Sequence, residues 1–287
     1  MGSTKSTAST AARAQQDMSD QCLAEDSVTG SSDTTVDSTL ALLRRLGLHG
    51  MAAGFRALDV RLLLPDMKYT EWLAILLEKE KELRDKRRFE RRSRAAKLGR
   101  AASIGDAEKL ATCGLESGMF RELAAGQWIR ARQNVLVVGP AGVGKTWLSC
   151  ALGRKALVDG YSVVYHRLPR LLEALALART EGRYNRMLRA IARLDLLILD
   201  DLGPERLDVQ KRRDLLEIIE DRHESRSTVV ISPLPVDSWH SIIGDSTIAV
   251  SIFDRLVHNS HRVALKGESL RAQRQPDRYQ AAASVRE

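Results

Sequence analysis

Residues 139–146 read Gly139-Pro140-Ala141-Gly142-Val143-Gly144-Lys145-Thr146, which fits G-x-x-x-x-G-K-[ST], the phosphate-binding P-loop. The flanks constrain the fold as strongly as the octet does. Ahead of it, Asn134 to Val138 (NVLVV) is a short apolar, β-branched run of the kind buried in a parallel sheet. Behind it, WLSCALGRKALV has helical spacing. Glycines let main-chain N–H groups turn inward around a triphosphate without Cβ clashes. The helix N-terminus adds a partial positive charge. Lys145 can reach the β- and γ-phosphates and the Thr146 hydroxyl can ligate Mg²⁺. ATP and Mg²⁺ are therefore the expected ligands, held by the loop with Trp147 immediately behind it.

Leu196-Leu197-Ile198-Leu199-Asp200-Asp201 has the form of a Walker B strand, an apolar run ending in two carboxylates. Asp200, at the end of a strand expected next to the P-loop, is assigned to the Mg²⁺ water shell. Asp201 has two readings. It polarises the attacking water, where many ATPases use the longer Glu, or it only caps the turn Leu202-Gly203-Pro204.

The chain has 287 residues, enough for one large domain and a smaller one. No apolar run approaches the ~18 residues of a membrane span, and the N-terminus shows no secretory h-region. Met1-Gly2-Ser3-Thr4-Lys5-Ser6 fits a myristoylation pattern that nothing else supports. Cys22, Cys113 and Cys150 are scattered, which predicts reduced thiols in a cytoplasmic protein without a zinc site. A net charge of +8 favours an anionic partner.

Residues 1–38, rich in Ser, Thr, Asp and Ala, are expected to be disordered, and 39–100 to form a small all-helical domain. TLALLRRLGLHG ends in glycine signals at Gly47 and Gly50, and MAAGFRALDVRLLL runs to Pro65. Thr70 is the expected N-cap of a long helix whose Trp72, Leu73, Leu76 and Leu77 form an apolar face. Between Lys79 and Arg100 there are eleven Lys/Arg and four Asp/Glu. Glu80–Arg84 and Glu82–Lys86 are spaced as i,i+4 pairs. Lys86, Arg87, Arg88, Arg91, Arg92, Arg94, Lys97 and Arg100, however, have only Glu90 among them. Such self-repulsion points to contact with double-stranded DNA phosphates; the other reading is a solvated or protein-facing surface.

After a connector at 101–133, strands near 134–138, 161–166, 195–200, 227–232 and 261–265 alternate with helices. That order predicts an α/β P-loop NTPase with a five-stranded parallel sheet, spanning 101–267, and a loose tail at 268–287. Ser232 ends the strand after Walker B and is either a γ-phosphate sensor or the opening of a turn into Pro233. Arg255, late in a helix, is either an arginine finger for a neighbouring subunit's ATP or a salt-bridge partner of Asp254 or another acid. Arg271 is a weaker candidate phosphate sensor.

These motifs together resemble the IstB family, ATPase helpers of insertion-sequence transposases, related to the DnaC helicase loaders and of the AAA+ class. The resemblance covers about residues 38–271 through TLALLRRLGLHGM, EWLAILLEKE, NVLVVGPAGVGKTWLSCALG, DGYSVVYHRLPRLLEAL, LDLLILDDLG, STVVISPLPVDSWHSIIGD and DRLVHNSHRVALKGESLR. The block from LPVDSWH to KGESLR separates it from DnaC-like loaders. The resemblance implies ATP-driven assembly into a ring or spiral homo-oligomer on DNA, cooperation with a cognate transposase, and disassembly on hydrolysis. By position it implies nucleotide and Mg²⁺ binding at Lys145 and Thr146, a Walker B at Asp200 and Asp201, and an arginine finger at Arg255. Two positions depart from the family. Trp147 stands where His is common, and Ser232-Pro233 stands where the sensor strand usually ends in Gln or Asn, which predicts slow hydrolysis dependent on DNA or transposase. Two other functions fit a P-loop: a replicative helicase loader, and a metabolic kinase, for which no acceptor motif is present and the basic helix has no role.

Overall fold

The structure, a computed structural model, describes residues 34–57, 68–99, 115–203, 205–267 and 269. Helix α1 covers 34–45, followed by α2 (His49–Ala57) and α3 (Tyr69–Ala96). Then come α4 (Ser117–Ala125), α5 (Gln127–Arg130), β1 (Asn134–Val138), α6 (Lys145–Val158), β2 (Val163–Arg167), α7 (Leu168–Thr180) and α8 (Tyr184–Ala192). The remaining elements are β3 (Leu196–Asp200), α9 (Val209–Arg222), β4 (Ser227–Ser232), α10 (Trp239–Ile243), α11 (Ser246–Val257) and β5 (Ser260–Ala264). They divide into two units, Met1–Arg88 and Phe89–Glu287, with the division inside α3. Residues 1–33, the connector stretch 101–114, Cys22, Cys113, Arg100 and Arg271 lie outside the described residues.

In the first unit, helix α1 starts at 34, inside the stretch expected to be disordered. Gly47, at φ 75°, ends the first helical segment as expected, but Gly50 lies within α2 and terminates nothing. Gly50 is there for space. A Cβ at Gly50 would lie 2.5 Å from the Glu80 Cα and the Lys79 carbonyl oxygen, so α2 and α3 cross backbone to backbone. At that crossing Glu80 is buried, accepts the Gly50 and Met51 amides, and pairs with Arg84 at 2.7 Å. Burial raises the Glu80 pKa, but the Arg84 hydrogen bond and the two amides outweigh it and hold the carboxyl below its ordinary range. Thr70 is not a cap: α3 already begins at Tyr69. The expected Glu82–Lys86 pair is replaced by Lys79–Glu82 at 3.0 Å. Of the expected apolar face, Trp72 stacks edge-on to Phe55 and Leu76 is buried, whereas Leu73 and Leu77 are exposed.

In the second unit all five strands are parallel, in the order β2-β3-β4-β1-β5. Alternation along the strands sorts side chains to two faces. Val135, Val137, Ile198, Val229 and Ile231 face a core closed by Leu148, Leu152, Phe120 and Trp128. Leu136, Leu197, Leu199 and Val230 face a second core built on Leu171, Leu175, Ile218, Trp239 and Ile252. Both faces are covered by helices, as a parallel sheet of such apolar strands requires. Asp208 caps α9 by accepting the Lys211 amide, and Asp245 caps α11 by accepting the Ile248 amide.

Candidate functional site

The P-loop leaves the C-terminal end of β1 and runs into α6, with Gly139, Gly142 and Gly144 at φ of 145°, 88° and 99°. Gly142 admits no side chain: a Cβ there would lie 2.2 Å from the Ser269 hydroxyl oxygen, because the chain after β5 passes over the loop. Val143 is buried beneath, which anchors the loop to the sheet. Lys145 donates from Nζ to the Gly139 and Pro140 carbonyl oxygens, each at 2.6 Å. Its ammonium thus lies along the loop and can exchange these carbonyls for phosphate oxygens.

Asp200 ends β3, which is not the strand beside β1 as expected, since β4 lies between them. The two motifs meet all the same, because α6 packs across β4 and β3 and its first turn carries Thr146 to the acid. The Thr146 hydroxyl donates to Asp200 Oδ2 at 2.7 Å. Tyr165, on β2, donates its hydroxyl to the same oxygen at 2.8 Å, and the Asp201 amide donates to Oδ1 at 2.8 Å. Burial, together with the bond to Asp200, pushes the Tyr165 phenol well above its ordinary range. A hydroxyl and a buried carboxylate side by side are hard oxygen donors, the set Mg²⁺ takes beside nucleotide phosphates. Thr146 would hold the ion directly and Asp200 through its water shell.

Asp201 follows at φ 65°, a left-handed conformation that Asp tolerates better than most residues. Its carboxylate is ion-paired with Arg167 at the end of β2. Asp201 therefore stands beside the Thr146–Asp200 pair with its own charge already engaged.

Among the other residues singled out by sequence, Ser232 is fully buried, donates to the Leu202 carbonyl at 2.6 Å and accepts the Leu234 amide at 3.1 Å. Those bonds belong to the turn reading rather than to the sensor. Trp147 packs on Cys150 and Ala151 along α6. Arg255 donates to Glu220 at 2.7 Å and to the Ser251 carbonyl, so its acid partner here is not Asp254. The Arg255 backbone carbonyl accepts from Asn134, the first residue of β1, whereas the P-loop leaves the other end of that strand. About 13 Å of strand separates the two.

Lys86, Arg87, Arg88, Arg91, Arg94 and Lys97 are exposed. Among the described residues, the ion pairs that draw on them are loose surface ones, Arg88 with Asp85 at 3.6 Å and Arg94 with Glu90 at 3.8 Å. Arg92 is half-buried and donates to the Gly160 carbonyl. The segment behind it packs on the P-loop helix: Arg154 donates to the Gly99 carbonyl at 3.0 Å, and Leu98 lies over Gly153.

Tyr165, Arg167 and Glu220 escaped the sequence reading. For the first two a signal existed, since polar residues at the carboxyl end of a parallel strand face the ligand edge of such a sheet. Glu220 has none, standing 35 residues from Arg255.

A five-stranded parallel sheet with a P-loop after its first strand and an acid pair at the end of its third has the fold of a P-loop NTPase. Residues 41–278 match the family of IstB-like ATP-binding proteins, and the chain belongs to that family. An insertion sequence ATP-binding protein of Sinorhizobium fredii, y4pL, is 49% identical over 233 residues, covering 81% of this chain and 95% of the relative. The insertion sequence IS21 ATP-binding protein of Pseudomonas aeruginosa is 31% identical over 230 residues, covering 80% and 87%. Among solved structures, that of DnaI aligns with a TM-score of 0.51 at 19% identity, covering 60% of this chain and 96% of DnaI, which shows a shared fold. Among the described residues, no helix is long and apolar enough to cross a membrane.

Proposed function

We propose that the chain is an ATP-hydrolysing helper of a cognate transposase. It binds Mg²⁺ and ATP at the P-loop, assembles with copies of itself on double-stranded DNA in the cytoplasm, and disassembles on hydrolysis. The observation that carries this is the Thr146–Asp200 hydrogen bond, which brings P-loop and Walker B together in a member of an insertion-sequence ATP-binding family.

Each role follows from placement. The loop from Ala141 to Gly144 presents backbone N–H groups to the phosphates, and Lys145 turns its ammonium onto them. Thr146 and Asp200 hold the metal, which supplies neutralising charge at the phosphate oxygens. Asp201 orients the attacking water once it has left Arg167, a requirement that favours slow basal turnover with stimulation. Arg255, near the end of β1 opposite the one its own P-loop leaves, acts on a neighbour's site in this reading and not on its own. That placement supports a ring or spiral in which each ATP lies between subunits. Lys86, Arg87, Arg88, Arg91, Arg94 and Lys97 leave enough uncompensated charge for phosphate contact. The helicase-loader alternative draws only on the fold shared with DnaI.

The test is hydrolysis and DNA binding by the purified chain and by a variant with Arg87, Arg88, Arg91 and Arg94 changed to Glu. The proposal expects turnover stimulated by duplex DNA in the unaltered chain. In the variant it expects ATP binding retained, stimulation lost, and DNA affinity weakened for all sequences alike with a flatter salt dependence. Equal DNA affinity in the two proteins removes the DNA role of α3.

A further inference from the structure

We infer that Tyr165 is a positioning residue for the metal-dependent step of nucleotide binding: its hydroxyl fixes the Asp200 carboxylate in the one orientation that serves the ion held by Thr146. The inference rests on the P-loop reading above and assigns it a residue that neither the P-loop nor the Walker B motif contains.

Asp200 is 4% exposed, and its rotamer decides which oxygen lone pairs face the P-loop. Three donors set that rotamer. The Asp201 amide holds Oδ1, and the hydroxyls of Thr146 and Tyr165 converge on Oδ2. The Thr146 hydroxyl can donate to Oδ2 while its oxygen ligates the ion, but its direction is then set by the ion and not by the sheet. The amide of Asp201 belongs to a residue in a left-handed conformation whose side chain must leave Arg167 before it can orient water. Tyr165 is the donor with no other duty in the cycle.

The phenol is itself well held. β2 pairs with β3 so that Tyr165 lies opposite Ile198 and Arg167 opposite Asp200, which brings the phenol alongside the strand end that bears the acid. Its ring packs against Cys150 and Ala151 of α6, in the patch that Trp147 and Leu98 also cover. A rigid ring held between its strand and the P-loop helix places its oxygen with little entropy left to lose. A carboxylate so pinned presents the remaining lone pair of Oδ1 to the metal's water shell without first reorganising.

The experiment measures affinity for a fluorescent ATP analogue across a Mg²⁺ titration, with EDTA as zero, for the unaltered chain, Tyr165→Phe and Tyr165→Leu. Thermal unfolding of each is recorded in parallel. The expected result is unchanged metal-free affinity in Tyr165→Phe. The Mg²⁺ concentration for half-maximal tightening should rise about three- to tenfold, less than the full worth of a hydrogen bond to a carboxylate because Thr146 and the Asp201 amide still hold Asp200. Tyr165→Leu should show the same rise with an added loss of stability. A Mg²⁺ midpoint in Tyr165→Phe equal to the unaltered chain, with only Tyr165→Leu impaired, reduces Tyr165 to packing and overturns the inference. An unaltered chain that binds the analogue with no Mg²⁺-dependent tightening removes the metal reading itself, and the inference falls with it. Should Tyr165→Phe not fold, 3-fluorotyrosine placed at position 165 carries the readout. Its ¹⁹F resonance should shift when Mg²⁺ joins the nucleotide-bound protein, and an unmoved resonance overturns the inference.

Discussion

Arg167, the last residue of β2, holds the carboxylate of Asp201 in an ion pair. The pairing joins the ends of two neighbouring strands, since Arg167 lies opposite Asp200 in the register. A carboxylate engaged by a guanidinium is a poor acceptor for the proton of an attacking water. Arg167→Gln should therefore raise basal ATP hydrolysis severalfold while leaving ATP affinity unchanged, and Arg167→Gln combined with Asp201→Asn should be inactive. Phosphate-release kinetics on the two variants check this; an Arg167→Gln rate at or below that of the unaltered chain contradicts it.

Lys145→Ala removes the cation that the loop now holds on the Gly139 and Pro140 carbonyls. Loss of a charged hydrogen bond to phosphate costs ~2 kcal/mol, so ATP affinity should fall by about 30-fold or more. Equilibrium binding of a fluorescent analogue measures the change, and retained affinity would sink the P-loop assignment.

Much of the site was legible because its parts are local. The run Asn134–Val138, the glycine octet and the strand ending in Asp200 each lie within a few consecutive residues, and each occupies the element its pattern implies. What escaped depends on contacts between distant segments. Gly50 looked like a helix stop because sequence does not reveal that Glu80 passes against its backbone. Ser232 is readable from sequence as a sensor or as the opening of a turn, and only its bonds to Leu202 and Leu234 favour the turn. Arg255 was readable as a finger or a salt bridge, and only the packing of α9 on α11 supplies Glu220 as the acid.

The Glu80 crossing gives a pH prediction. Its folded-state pKa lies below the ordinary 4.5, so its stabilisation is fully present above that value and is lost as pH falls through the lower folded value. Glu80→Gln should cost about 1 kcal/mol at neutral pH, because the amides keep an acceptor but Arg84 loses its charge partner. The difference from the unaltered chain should shrink below pH 4.5. Denaturant unfolding at neutral and acid pH checks both parts; a difference that does not change with pH would show that the Glu80 charge is not what stabilises the crossing.

Arg255 and Asp201 test assembly together. Arg255→Ala should bind ATP, hydrolyse little and form weaker oligomers, because position 255 lies near the end of β1 opposite the one its own P-loop leaves. Mixing Arg255→Ala, which keeps Asp201, with Asp201→Asn, which keeps Arg255, should restore measurable turnover through composite sites. If mixed oligomers form and no ratio restores turnover, Arg255 is a structural partner of Glu220 and nothing more.

The most direct measurement of an ATP-fuelled cycle on DNA is the dissociation rate from duplex DNA in the presence of Mg²⁺ and ATP, compared between the unaltered chain and Asp201→Asn. Asp201→Asn keeps Lys145, Thr146 and Asp200, so it should bind nucleotide and assemble normally. Without hydrolysis to release it, it should remain on DNA at least about tenfold longer, as expected when a general base is removed from the step that ends the bound state. Equal lifetimes for the two proteins, or a lifetime indifferent to ATP, would contradict the account.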